Sequence, residues 1–302
     1  MLLAHAADEL AQNLWLSWNL DPLLLLGIML FAGAYAYALG PLRRRWGVTE
    51  PVESWRVLSF AAGTLILIIA LVSPLDALGD TYLFSAHMVQ HLLISLICPP
   101  LWLLGTPGWM LAPLLRPPGV LRVARWLTLP VIAFGLFNGD LWLWHAPALY
   151  DATLTNETIH IFEHLTFIAF GVLFWWPVLS PVRALPRSGY GFRVLYLFLA
   201  CQPMVALGAL LTFAAAPLYT PYVAAPRIWG LSALEDQQLG GLIMWLPSNI
   251  PYVIALSAVF FKWVGEQDRA ERIAAGEVVE PAALAEMDQA DSAEASAASP
   301  AQ

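Results

Sequence analysis

Charge is what this chain has least of. Asp, Glu, Lys and Arg make up 12% of its 302 residues, against about 25% in soluble domains. Hydrophobic residues make up 59%. That balance excludes an ordinary soluble domain and points to an all-α, polytopic membrane protein. Cysteine is nearly absent as well. Cys98 and Cys201 lie in separate apolar runs and form no Cys-x-x-Cys. They read as small buried hydrophobes, not as a disulfide framework. No phosphate loop, nucleotide motif or nucleophile constellation is found, so the chain does not read as an enzyme, and nucleic acid is not an expected partner. The net charge of −8 sits mostly in the tail: residues 266–302 carry nine acids and two arginines.

What the chain does have is apolar runs. Seven are long enough, or nearly so, to cross about 30 Å of hydrocarbon. They are Leu20–Leu39, Trp55–Val72, Thr81–Leu104, Leu127–His145, Thr158–Leu179, Arg193–Ala215 and Gln238–Phe261. Fourteen Trp suggest interfacial belts. The expected organisation is a tail over residues 1–19, a seven-helix domain over 20–262 and an acidic tail over 263–302. Residues 263–280 are expected to extend the last helix, and the low hydrophobicity of 283–302 predicts disorder. Ala4-His5-Ala6 resembles a cleavage site but lacks a basic stretch and a hydrophobic stretch before it, so it reads as tail.

Basic residues orient the bundle. Arg43, Arg44, Arg45, Arg56, Arg116, Arg122, Arg125, Arg183, Arg187, Arg193, Lys262, Arg269 and Arg272 fall on one side of the seven runs, and only Arg227 falls on the other. The N-terminus is therefore expected outside and the C-terminus in the cytoplasm. All six histidines then lie toward the outer side. His87-Met88-Val89-Gln90-His91 and His160-Ile161-Phe162-Glu163-His164 both read His-x-x-Gln/Glu-His-Leu. Residues at i and i+4 share a helix face. At 1.5 Å per residue, His91 and His164 come out roughly 10–15 Å below the outer surface.

Ionisable groups inside a membrane span are functional candidates by default. Imidazole suits Cu, Zn, Fe and Ni, and thioether sulfur favours Cu(I). The expected metal ligands are His87, His91, His160 and His164, with Met88 and His145 as auxiliary ligands. Gln90, Asp140, Glu163, Asp236 and Gln237 are the expected supporting residues, orienting imidazoles from behind. Three other readings stay open. The histidines can be polar glue between helices. His160-x-x-Glu163-His164 also matches the inverted zinc-peptidase motif, with Glu235 as a conceivable third ligand. A haem- or quinone-linked redox protein is the third, although i,i+4 imidazoles at one height suit chelation better than haem.

Several stretches resemble the CtaG-like cytochrome c oxidase assembly factors, a family of seven-span bacterial membrane proteins. They are Ser85-Ala86-His87-Met88-Val89-Gln90-His91-Leu92-Leu93, Pro99-Pro100-Leu101, Gly105-Thr106-Pro107 and Trp144-His145-Ala146-Pro147-Ala148-Leu149-Tyr150-Asp151. His160-Ile161-Phe162-Glu163-His164 and Asp236-Gln237-Gln238-Leu239-Gly240-Gly241-Leu242-Ile243-Met244-Trp245 complete the set. The resemblance runs in order over roughly residues 20–262. It implies a role in building haem-copper oxidase in the bacterial inner membrane, by handling Cu(I), with oxidase subunits and periplasmic copper chaperones as partners. A metal-free assembly scaffold is the alternative within the same family.

Overall fold

The computed structural model describes residues 14–277, so the expectations about His5 and residues 278–302 lie outside the described residues. No strand occurs among them. The chain divides into two compact units, with the boundary after Ile254. Among the described residues six helices are long and apolar enough to cross a membrane, or seven if a bent pair is one span.

Local sequence explains most helix starts. Asp21 caps α1 (Pro22–Arg45) by accepting from Leu24 N at 2.8 Å, and Pro22 occupies the first turn, where no amide is needed. α2 (Ser54–Val72) stops at Ser73-Pro74, and Ser73 Oγ accepts from Leu75 N to start the short α3 (Pro74–Thr81). α4 (Phe84–Gly105) follows within three residues. Midway it widens into a π turn over Leu93–Ile97. The cause is local: Pro99 and Pro100 have no amide hydrogen for the carbonyls of Ser95 and Leu96.

The run expected as one span over Leu127–His145 is built differently. α5 (Pro118–Leu127) and α6 (Pro130–Trp144) meet at 66°. Leu129 precedes Pro130, which pushes it out of helical geometry. α5 sets Arg122 and Arg125 beside exposed Val123 and Trp126, so it is amphipathic, and α6 alone is 15 residues. α7 (Pro147–Thr155) leads into α8 (Glu157–Leu179), where Asn156 Oδ1 accepts from Ile159 N at 3.2 Å. Next come α9 (Tyr190–Thr212), the short α10 (Thr220–Ala224), α11 (Ala233–Trp245) and α12 (Asn249–Ala274). A short turn at Pro247 interrupts the expected seventh span without ending it: Ala233–Ala274 is one candidate span, and α12 runs on to Ala274.

α4 is the helix the others pack around. α2 lies against its second half and α11 against its first, while α3 and α8 close the remaining sides. Glycines set three of these approaches. A Cβ on Gly171 of α8 would lie 2.5 Å from Ser95 O in the π turn. One on Gly240 of α11 would lie 2.3 Å from the Phe84 ring, and one on Gly241 2.6 Å from Thr212 N of α9. The Gly240-Gly241 pair therefore lets α11 fit between α4 and α9, as small residues do in membrane bundles.

Candidate metal centre

The two histidine pairs face each other across the α4–α8 interface. His87, His91, His160, Glu163 and His164 each offer one ligand atom, and these five atoms lie within 4.8 Å of one another. The ring centres of His87 and His160 are 5.4 Å apart, as are those of His91 and His164. His87 Nε2 approaches His91 Nε2 to 2.6 Å, so a proton or an ion belongs between them.

The proton positions around His87 follow from its neighbours. Tyr222 OH donates to Gly79 O at 2.6 Å, so its oxygen is free to accept from His87 Nδ1 at 3.1 Å. That leaves the lone pair of His87 on Nε2, facing the cluster. A Cβ on Gly79 would lie 3.0 Å from His87 Cα, so α3 rests directly on this turn of α4. Asp80, next in α3, sits between the pairs, at 3.6 Å from His87 Nδ1 and 3.5 Å from His160 Nδ1. Burial, then the charge of Asp76, pushes the Asp80 carboxyl up to about 8. Its side chain is 30% exposed, which tempers that push.

Several buried polar atoms here have no hydrogen bond: His91 Nδ1, His160 Nε2, His164 Nε2 and both carboxylate oxygens of Glu163. Thr153, the hydroxyl near Glu163, donates to Tyr150 O instead. The closest basic group to Glu163 is His91 Nε2, at 3.8 Å. Each unmet buried group costs about 1–3 kcal/mol, and native proteins rarely leave so many in one place. The free Nε2 atoms of His160 and His164 and the unbonded Glu163 carboxylate fit a metal ion, which would satisfy them at once.

A cavity of about 400 Å³ opens onto this cluster. His160 and His164 line it, together with four acids, Asp21, Asp76, Asp80 and Glu157, among neutral polar and apolar side chains. The approach to the histidines is thus acidic.

The other expected site residues divide. Met88 and His145 are buried beside each other, with Met88 Sδ 3.4 Å from His145 Nε2, but neither belongs to the five-atom cluster. The expected supporting residues, Glu163 apart, do not touch an imidazole. Asp236 caps α4: its carboxylate accepts from Phe84 N at 2.7 Å, Ser85 N at 3.1 Å and Ser85 Oγ at 2.5 Å. Gln90 donates to Ala70 O and to Asp76 Oδ1, binding α4 to α2 and α3. Asp140 accepts from Trp144 Nε1 at 3.0 Å. Gln237 accepts from Leu218 N, which holds the segment leading into α10 and Tyr222. Glu235 is committed to a capping box with Ser232 at the start of α11 and is no ligand for the peptidase reading. The residues that do reach the imidazoles, Tyr222 and Asp80, lie in short segments between spans.

The profile of the family described as cytochrome c oxidase caa3 assembly factor (Caa3_CtaG) matches residues 33–266. Among curated proteins, an uncharacterized protein of Mycobacterium bovis is 29% identical over 269 residues. An uncharacterized protein of Mycobacterium leprae is 27% identical over 270 residues. Both alignments cover 83% of this chain and 40% of the relative, so the chain spans well under half the length of those relatives. No solved structure matches.

Proposed function

The chain belongs to the cytochrome c oxidase caa3 assembly factor family, and from that premise we propose that it serves oxidase assembly by holding Cu(I) as cargo between α4 and α8. The observation that carries this reading is the cluster of His87, His91, His160, Glu163 and His164, with free nitrogens and a carboxylate that has no hydrogen bond. Neutral imidazoles bind copper, and a carboxylate beside them offsets its charge. The basic residues support a bundle in the inner membrane with this cluster toward the periplasm. Copper then arrives from the periplasmic side, from chaperones, through the acidic cavity. A site sunk below the surface suits lateral transfer to oxidase subunits in the same bilayer. Chemistry on the bound ion is not required, so the role is assembly and not catalysis.

Four imidazoles and a carboxylate converge here, more donors than the two axial positions of a haem take, so the arrangement favours chelation of an ion. The test is the copper content of protein purified under reducing conditions, with an optical spectrum. About one or two copper per chain without a Soret band is expected. His87→Ala with His91→Ala is expected to lower the copper content while the bundle stays folded. Unchanged copper in that double variant would overturn the assignment, and a Soret band would favour the redox reading.

A further inference from the structure

Resting on that copper-handling reading, we propose that Met88 and His145 form a second subsite, for a soft monovalent ion of the Cu(I) class. Met88 follows His87 in α4, so it points about 100° away around the helix. It therefore serves a different face. Gly240 makes room for it there: a Cβ at that position would lie 3.2 Å from Met88 Cγ.

The argument is a proton count. His145 Nδ1 lies 2.7 Å from Leu141 O, and a carbonyl only accepts, so that nitrogen carries the proton. In a neutral imidazole the other nitrogen, Nε2, is then a bare lone pair. It faces Met88 Sδ at 3.4 Å. A thioether has no hydrogen to donate. Two electron pairs thus oppose each other, and Met88 and His145 are 1% and 4% exposed. Water is largely excluded from between them. A cation between them resolves the opposition. With imidazole bonds of about 2.0–2.1 Å and a sulfur bond of about 2.3 Å, this separation corresponds to an N–metal–S angle of roughly 100–105°. Thioether sulfur selects Cu(I) among the biological metals.

His91 links the two places. Its Nε2 belongs to the main cluster, and its Nδ1 is buried without a partner. Its ring centre is 4.1 Å from that of His87 and 6.4 Å from that of His145. Two imidazoles on one ion hold their ring centres up to about 6.4 Å apart. An ion can therefore pass from the cavity side of α4 to the Met88 side through one shared ring.

The experiment is X-ray absorption at the copper edge on the full-length protein, loaded with Cu(I) under reducing conditions. Met88→Leu keeps the side chain's volume and is expected to leave thermal unfolding nearly unchanged. The wild type is expected to show a sulfur neighbour to copper. Met88→Leu is expected to lose it, together with part of the bound copper. His160→Ala with His164→Ala is expected to keep the sulfur signal while losing copper from the main cluster. Copper bound by the wild type with only nitrogen and oxygen neighbours would overturn the second subsite and leave the histidine cluster standing. A sulfur signal with copper content untouched by the His160/His164 substitutions would keep the subsite and overturn the cluster. No copper in any form of the protein would overturn both.

Discussion

The two halves of α4 treat polar groups in opposite ways. The second half, against α2, closes them. Ser59 Oγ donates to Leu101 O at 2.8 Å, Cys98 Sγ to Gly63 O at 3.3 Å and Trp102 Nε1 to Thr64 Oγ1 at 3.3 Å. Arg56 reaches Leu104 O and Tyr35 reaches Gly105 O. Two of these, the carbonyls of Leu104 and Gly105, lie in the last turn of α4 and lack helical partners. The first half, against α8, brings imidazoles and a carboxylate together and leaves them open. α8 packs closely on α4 from the π turn onward, and beside the first half a cavity opens onto the imidazoles. Interhelical glue looks like the second half. The first half looks like a set of donors kept for a ligand.

The comparison breaks most directly at Gly171. Its close approach to Ser95 O is what brings α8 to the π turn one residue beyond Leu92. Gly171→Val is expected to destabilise the protein by about 3 kcal/mol, toward the upper end for overpacked sites. Copper affinity should fall with it, because the two histidine pairs separate. Thermal unfolding in detergent and a copper titration read both effects. A variant that unfolds normally and binds copper normally would mean that this contact does not hold the pairs together.

A smaller substitution in the closed half sharpens the contrast. Trp102→Phe removes the indole hydrogen bond to Thr64 and part of a buried ring. A loss of about 2 kcal/mol is expected, with the copper titration unchanged. A shift in copper affinity would show that the two halves are coupled.

The sequence carried the fold and the main cluster because both rest on short-range spacing. Apolar runs, prolines and arginines report spans directly. His87 with His91, and His160 with His164, report a shared face by i,i+4 geometry alone. What stayed hidden depends on chain-distant pairing. Asp236 reads as a ligand-side acid, yet it caps a helix that starts 152 residues earlier. Tyr222 lies 135 residues from His87, in a five-residue helix that no periodicity announces. Two further features are local. Pro130 after Leu129, with Arg122 and Arg125 interleaved among Val120, Val123 and Trp126, marks the 66° bend. Neighbours in a helix diverge by about 100°, so Met88 does not share a face with His87.

At Glu163 the sign of the effect on stability separates the readings. Glu163 is fully buried and its carboxylate oxygens make no hydrogen bond. If it were glue, Glu163→Met would remove a stabilising contact and the metal-free protein would melt earlier. If it is held open for a ligand, it costs stability when no ligand is bound, as functional groups often do. Replacing a buried polar group that makes no hydrogen bond by an apolar side chain of similar length is often neutral or stabilising. The expectation is a metal-free protein more stable by about 1 kcal/mol, with copper bound roughly 10- to 100-fold more weakly. Thermal unfolding with and without Cu(I) measures both in one preparation. The metal-induced rise in melting temperature should shrink in the variant while its metal-free baseline climbs. A baseline that drops instead would return Glu163 to structure, and the open half of α4 would then need another explanation.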